Sequence, residues 1–250
     1  MAKFEVIPIG VGDSFSEYHH PTAMLLCYDG FTLAVDCPDM YRSVLRRASE
    51  RAGRELDLSR IDDVLITHVH GDHMNGLEGV AFFKHFSDKC RTGLVASPEV
   101  REVIWGQRLQ ASMGVLYDGV QFREKSFEDY FDFTPLSWDR PTHVGPFEIQ
   151  PRRTKHHVPT SALLVRAGGT TFGYSADTAF DPELIEFLSV ADLIFHETNL
   201  GPAHTAYAEL ARLPAELRSR MRLIHYPDQL DLSASAIAPA REGDVLEVSR

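Results

Sequence analysis

The segment Thr67-His68-Val69-His70-Gly71-Asp72-His73 places three imidazoles and a carboxylate within six consecutive residues. Imidazole nitrogens suit Zn, Fe and Ni, and an added carboxylate makes a mixed nitrogen and oxygen site. The segment follows Val64-Leu65-Ile66-Thr67, a short β-branched run that reads as a buried strand. In extended backbone, side chains alternate, so His68 and His70 point the same way. Gly71 lets the chain bend, turning Asp72 and His73 toward a second point. One ion cannot use all four residues and still leave room for a substrate; two ions can. The plain alternative is a chance histidine-rich turn, and a H-x-H-x-D-H pattern at a strand end weighs against it.

Two ions need further ligands. His156 follows a predicted strand from Phe147 to Thr154, Asp177 follows Thr170 to Ser175, and His225 follows Leu223-Ile224. A ligand at a strand end sits on the rigid edge of a sheet, where a site can be held accurately. An aspartate can bridge two cations about 3.5–4 Å apart. Arg152, Arg153 and Lys155, just before His156, either attract an anion or form an ordinary solvated face.

The elements that must position these residues are legible as apolar runs. Strands are predicted at Phe4–Ile9, Ala23–Tyr28 and Phe31–Asp36, the last two joined by Asp29-Gly30, a hairpin signal. Further strands are predicted at Leu94–Ser97, Ala162–Ala167, Leu193–His196 and Asp244–Val248. Helices are predicted over Asp39–Ala52, Leu77–Phe86, from Pro98 toward Leu109, and over Pro182–Leu188 and Thr205–Leu213. From about Ser112 to Pro146 the pattern weakens and aromatic and acidic residues dominate. Residues 100–146 are therefore read as a lid or interface insertion, with ordinary strands and loops as the alternative, in a single domain spanning 1–250.

Composition narrows the class. The 250 residues are 44% hydrophobic and 24% charged, which is globular rather than disordered or fibrous. With 25 basic and 36 acidic residues the formal charge is −11, which disfavours a non-specific grip on nucleic acid. Cys27, Cys37 and Cys90 are few and scattered, fitting a reducing compartment better than a disulfide framework. No apolar run approaches a membrane span and the opening residues lack a signal-peptide core, so the expectation is a cytoplasmic protein.

The run His68 to His73, followed in order by His156, Asp177 and His225, resembles the metallo-β-lactamase superfamily over nearly the whole chain. The resemblance implies an α/β fold, an αββα four-layer sandwich with metals at one edge of its two sheets. It implies two divalent metal ions, with zinc the default and Mn or Fe as alternatives. His68, His70 and His156 would hold the first, Asp72, His73 and His225 the second, and Asp177 would bridge them. His157 is the alternative to His156; the stretch His156-His157-Val158 resembles the family's histidine, any residue, valine pattern when His156 is the ligand. Asp36, after the strand Thr32 to Val35, resembles the family's strand-end aspartate and would support a ligand histidine, or act as a turn residue. His19, His20, His85, His143 and His196 match no ligand position and are read as surface or structural.

Asp177 stands where true zinc β-lactamases of this pattern use cysteine, and His70 where flavodiiron oxidoreductases use glutamate. Glyoxalase II-like thioesterases carry a C-terminal helical region for which the 25 residues after His225 are too few. Asp192-Leu193-Ile194-Phe195-His196-Glu197-Thr198, followed by Ala203-His204-Thr205, resembles the paired motifs of the ribonuclease Z-like branch. The match is partial, since Thr205-Ala206 replaces Ser-Thr and Thr198-Asn199 replaces Ala-Thr. In that resemblance Glu197 orients His204, which contacts phosphate or protonates the leaving oxygen; otherwise His204 starts a surface helix. Transfer-RNA processing members insert a long arm between the third histidine and the bridging aspartate. Here those positions are 21 apart, filled by one hairpin, which makes tRNA an unfavoured substrate.

The resulting expectation is a dinuclear metal-dependent hydrolase of a small phosphodiester such as a cyclic nucleotide. A hydroxide shared by two metals would attack, Asp72 would orient it and His204 would assist the leaving group. The alternatives are a metallo-hydrolase of a lactone, thioester or β-lactam, and a non-catalytic metal-binding module. Dimers are common in the branch, so a homodimer is carried as an expectation.

Overall fold

A computed structural model describes residues 2–250, with the apolar runs folded into strands. In chain order these are β1 (Glu5–Gly10), β2 (Ala23–Tyr28), β3 (Phe31–Val35), β4 (Asp63–Leu65) and β5 (Thr92–Ala96). Then come β6 (Val115–Tyr117), β7 (Phe122–Glu124), β8 (Phe131–Pro135), β9 (Thr142–Val144), β10 (Phe147–Arg153), β11 (Ser161–Ala167) and β12 (Thr170–Tyr174). The last are β13 (Leu193–Glu197), β14 (Met221–Ile224), β15 (Ala238–Pro239) and β16 (Leu246–Glu247). Among the described residues they form two seven-stranded sheets, ordered β16-β1-β2-β3-β4-β5-β8 and β15-β14-β13-β12-β11-β10-β9, plus the separate hairpin β6-β7.

Each sheet is antiparallel on one side and parallel on the other. In the first, β1, β2 and β3 meander, joined at Asp29-Gly30, both with positive φ (50° and 82°), as a two-residue hairpin requires. Strands β3, β4, β5 and β8 then run parallel, as do β12, β13, β14 and β15 in the second sheet. Parallel neighbours place successive strand ends along one edge, and the predicted ligands follow those ends.

Alternation divides the core. Val6, Met24, Leu33 and Val35 face the second sheet's Phe147, Leu163, Val165 and Phe172 in one cluster. Their neighbours Ile7, Leu25 and Ala34 join a second cluster with the helices on the outer face. That helical layer includes α1 (Tyr41–Ala52), which buries Val44, Leu45 and Ala48. Next are α2 (Gly71–Met74), α3 (Leu77–Phe83), α4 (Pro98–Val103) and α5 (Gln110–Met113). On the second sheet lie α6 (Pro182–Leu188), α7 (Tyr207–Leu210) and α8 (Ala215–Ser219). The layers are helix, sheet, sheet, helix, and this is the metallo-β-lactamase fold.

Three local expectations change. The helix from Pro98 runs past Leu109 to Met113, through a widened turn over Ile104–Leu109. Residues 112–146 divide: β8 extends the first sheet, β9 extends the second, and only the β6-β7 hairpin projects. Thr205–Leu213 forms a helix only over Tyr207–Leu210. Thr205 is instead consumed by tertiary hydrogen bonds, its carbonyl accepting from Thr198 Oγ1 and Asn199 N, and its hydroxyl donating to Thr178 O. No helix of the described residues is long and apolar enough to cross a membrane.

Candidate active site

The loop after β4 is fixed before any ligand is considered. Asp36 ends β3 with φ at 63°, a left-handed conformation that costs a non-glycine residue on the order of 1–3 kcal/mol. Its buried carboxylate accepts from Thr67 N at 2.8 Å, Thr67 Oγ1 at 2.9 Å and His73 Nδ1 at 2.8 Å. Cys37 N donates to His73 O at 2.7 Å. The aspartate thus ties the strand end to α2 through the candidate ligand His73. Ala176 and His225, just beyond β12 and β14, also have positive φ, at 47° and 57°. Strained backbone therefore recurs where three strand ends meet the site.

The distant residues converge. Single nitrogen or oxygen atoms of His68, His70, His156 and Asp177 lie within 4.8 Å of one another, as do those of Asp72, His73 and His225. Asp177 sits between the groups: its Oδ2 is 3.7 Å from His68 Nε2, 3.7 Å from His156 Nε2 and 3.5 Å from His225 Nε2, while its Oδ1 is 3.4 Å from His73 Nε2. Asp72 Oδ2 lies 3.5 Å from His73 Nε2 and 3.4 Å from His225 Nε2. His156 Nδ1 donates to Ala203 O at 3.2 Å, which turns its Nε2 inward, 3.1 Å from His70 Nδ1. His157 is exposed and stays outside both groups, its ring 6.2 Å from that of His70.

This donor set fits cations. Among the described residues, His68 Nε2, His73 Nε2 and Asp177 Oδ1 are buried without a hydrogen-bond partner, all aimed at the same space. A buried polar atom left this way costs roughly 1–3 kcal/mol, so each needs an occupant. Electrostatics agree. Burial alone would lower His73 and His225, yet Asp177 and its neighbours raise them to about 10 and about 9. Burial opposes ionisation of Asp72, but His73 and His225 hold its carboxyl below the usual range. Asp36, Asp72 and Asp177 together call for positive charge at this point, and divalent ions would supply it. Burial keeps His68 neutral, the form that coordinates.

A second pair stands beside this cluster. Glu197, at the end of β13, is fully buried and accepts from Thr178 N at 2.8 Å and His204 Nδ1 at 2.9 Å. The His204 ring stacks on His225 at 5.4 Å and lies 5.3 Å from His156. His70, Asp72, His156, Asp177, His204 and His225 line a cavity of about 370 Å³, with His68, His73 and Glu197 buried behind them. The cavity also takes in Asp13, Phe15 and Asn199, three residues the sequence reading did not single out. Asn199 Nδ2 donates to Asp13 Oδ2 at 3.2 Å, and Phe15 is 89% exposed at the rim. A Gly-Asp turn after β1 was the available signal for Asp13 and Phe15, but turns are too common for it to stand out. Arg152, Arg153 and Lys155 do not line the cavity: they pair with Glu183, Glu99 and Asp181 on the surface. Of the histidines matching no ligand position, His196 is buried, its Nδ1 bonded to Glu197 O.

With this geometry in hand, the chain can be compared with known proteins. It is similar to the metallo-β-lactamase fold protein YhfI from Bacillus subtilis, with a TM-score of 0.77, 20% identity and 98% and 99% of the two chains covered. It is 23% identical to the cAMP/cGMP-dependent 3',5'-cAMP/cGMP phosphodiesterase B of Dictyostelium discoideum, over 99% of this chain and 23% of that protein. It is 32% identical, over 89% of each chain, to the Anti-Pycsar protein Apyc1 of Paenibacillus sp. (strain J14). The model of that family matches residues 4–241, a span that takes in every residue lining the cavity and stops short of the last strand, β16; the chain belongs to the Anti-Pycsar protein Apyc1 family.

Proposed function

We propose that this hydrolase is a metal-dependent phosphodiesterase acting on a small phosphodiester of the cyclic nucleotide class. The observation that carries it is the Glu197–His204 pair, bonded at 2.9 Å, whose His204 lines the same cavity as the histidine and aspartate cluster. A metal centre alone suits many hydrolyses; a carboxylate-held imidazole beside it supplies the proton that an alkoxide leaving group needs. The relatives support this reading, one being named as a cAMP/cGMP phosphodiesterase.

His68, His70 and His156 would hold one divalent ion and Asp72, His73 and His225 another, with Asp177 between them. Zinc is the expected metal, with manganese or iron as alternatives. When bound, such ions lower the pKa of water from 15.7 to about 7 and neutralise phosphoryl charge. Asp72 accepts a hydrogen bond from the attacking water and so orients it. As the water oxygen bonds to phosphorus and the ester P–O bond breaks, His204 gives its proton to the departing oxygen, while the water's surplus proton leaves by way of Asp72 to solvent, from which His204 is reprotonated. Glu197 holds the imidazole in place through Nδ1 and favours its charged form. Phe15 at the rim offers a planar base an apolar face on which to stack.

A cavity of about 370 Å³ suits a small molecule, and a single hairpin fills the interval from His156 to Asp177, so tRNA is not the favoured substrate. We assign a homodimer contact to the β6-β7 hairpin, whose Tyr117 and Phe122 are 60% and 75% exposed. Cys27, Cys37 and Cys90 are all free, which suits a reducing cytoplasm.

The deciding experiment measures hydrolysis of cyclic nucleotides, bis-p-nitrophenyl phosphate, a lactone, a thioester and nitrocefin, with metal analysis of the same sample. Turnover of phosphodiesters, abolished in Asp177→Ala together with loss of metal, is expected. Preference for the lactone, thioester or nitrocefin, or full activity in metal-depleted Asp177→Ala, would overturn the reading.

A further inference from the structure

The metal-facing loop is held from one side by Asp36. Its opposite side is held by a residue that takes no part in the chemistry above. Arg108 Nη1 donates to Val69 O at 2.8 Å, and its Nη2 donates to Asn75 Oδ1 at 2.7 Å. Val69 is the residue between His68 and His70. Asn75 caps the C-terminal end of α2, its N–H donating to Gly71 O at 2.9 Å. The Asn75 amide also closes on Gly71, where a Cβ would meet Asn75 Nδ2 at 2.7 Å. One guanidinium therefore grips the chain on both sides of Gly71, the pivot between the His68–His70 arm and the Asp72–His73 arm.

The helix is shaped for this reach. Ile104 and Leu109, five apart, are both buried, at 0% and 4% exposure, across the widened turn. Ordinary helical spacing of three to four residues would bring position 107 or 108 beneath Ile104. The wider turn hands that buried position to Leu109 and leaves Arg108 free to reach the loop. Such widened turns occur frequently at functional sites. Guanidinium geometry suits the task, because its fixed fork serves two acceptors at once.

We propose that Arg108 is a positioning residue, setting the distance between the two arms of the metal-binding loop and thereby the affinity for the cations. The proposal rests on the ligand set given above and not on the substrate. The test uses zinc alone, titrated against a chromophoric chelator with wild type, Arg108→Met, Arg108→Lys and Asn75→Ala. Arg101→Met serves as control on the same helix, since Arg101 lies over Phe127 and pairs with Glu128 instead.

Because Arg108 is solvent-exposed, its loss is expected to weaken zinc binding about fivefold to tenfold, below the range typical of direct ligand partners. Arg108→Lys should recover part of that loss. Asn75→Ala should weaken binding about twofold to threefold and add little to Arg108→Met, because the two share one interaction. With zinc saturating, Arg108→Met should lower kcat while leaving KM for a phosphodiester unchanged. Wild-type zinc affinity in Arg108→Met, or an equal loss in Arg101→Met, would overturn the proposal. If Arg108→Met does not fold, unchanged zinc affinity in Asn75→Ala overturns it alone. Failure of the wild-type protein to bind zinc would instead defeat the ligand set itself.

Discussion

At the scale of single residues, the roles proposed for His204 and Phe15 separate chemistry from recognition. Burial lowers the His204 pKa, but the hydrogen bond and charge of Glu197 outweigh it and raise it above the ordinary 6.5. The proton-donating form therefore persists to higher pH than in a free imidazole and is lost as pH rises through the raised value. The rate of phosphodiester cleavage should fall on the alkaline side for that reason. His204→Asn can keep a donor for Glu197 while losing the acid, so it should bind metal normally and slow turnover by roughly 10²–10⁴-fold. It should also lack the alkaline limb; a pH-rate profile on the variant checks both. Phe15→Ala removes the stacking face only. Base–aromatic stacking is worth about 1–3 kcal/mol, so KM for a cyclic nucleotide should rise about fivefold or more while kcat holds. Ribose cyclic phosphate, with no base, should show no such change.

At the scale of elements, the strand ends explain what could be read in advance. His68, Asp177 and His225 each follow an apolar run, and a polar residue just beyond a buried strand is conspicuous. His156 follows β10 in the same way. Glu197 was legible because it ends β13. Arg108 was not, since a helical surface arginine is ordinary and the widened turn that aims it leaves no pattern in the residues. The predicted helix over Thr205–Leu213 failed because its apolar spacing carries no trace of the tertiary hydrogen bonds that claim Thr205.

Strand β13 also carries a pH liability. His196 is fully buried, and burial lowers its pKa to about 4 despite the Glu197 carbonyl at its Nδ1. The unfolded chain takes up this proton near 6.5. Between those values the unfolded state binds more protons, so stability falls as pH drops. The loss is on the order of 2 kcal/mol by pH 5. His196→Asn, which does not titrate, should show a smaller difference in denaturant midpoint between pH 7 and pH 5 than the wild type. An equal difference would assign the acid sensitivity to other groups.

At the scale of the whole molecule, the candidate ligands are shared between the two sheets. His68, His70, Asp72 and His73 follow β4, while His156, Asp177 and His225 follow β10, β12 and β14. The layered arrangement was legible from two groups of strands accompanied by helices. The partition of residues 112–146 was not, because β8 and β9 are short and enter different sheets. Ions binding only the folded form add stability by mass action, about 2.7 kcal/mol at a hundredfold excess over Kd. Chelation should therefore lower Tm measurably in the wild type and much less in Asp177→Ala.

Because each candidate cation would join one layer to the other, it also acts as a rivet across the seam. A cell starved of divalent metal would then hold this protein with its rivets missing. Unfolding, and with it proteolysis, would then be more frequent by the factor that ion binding otherwise supplies. Supply of the ion would in this way set how long the protein survives, independently of whether any substrate is present.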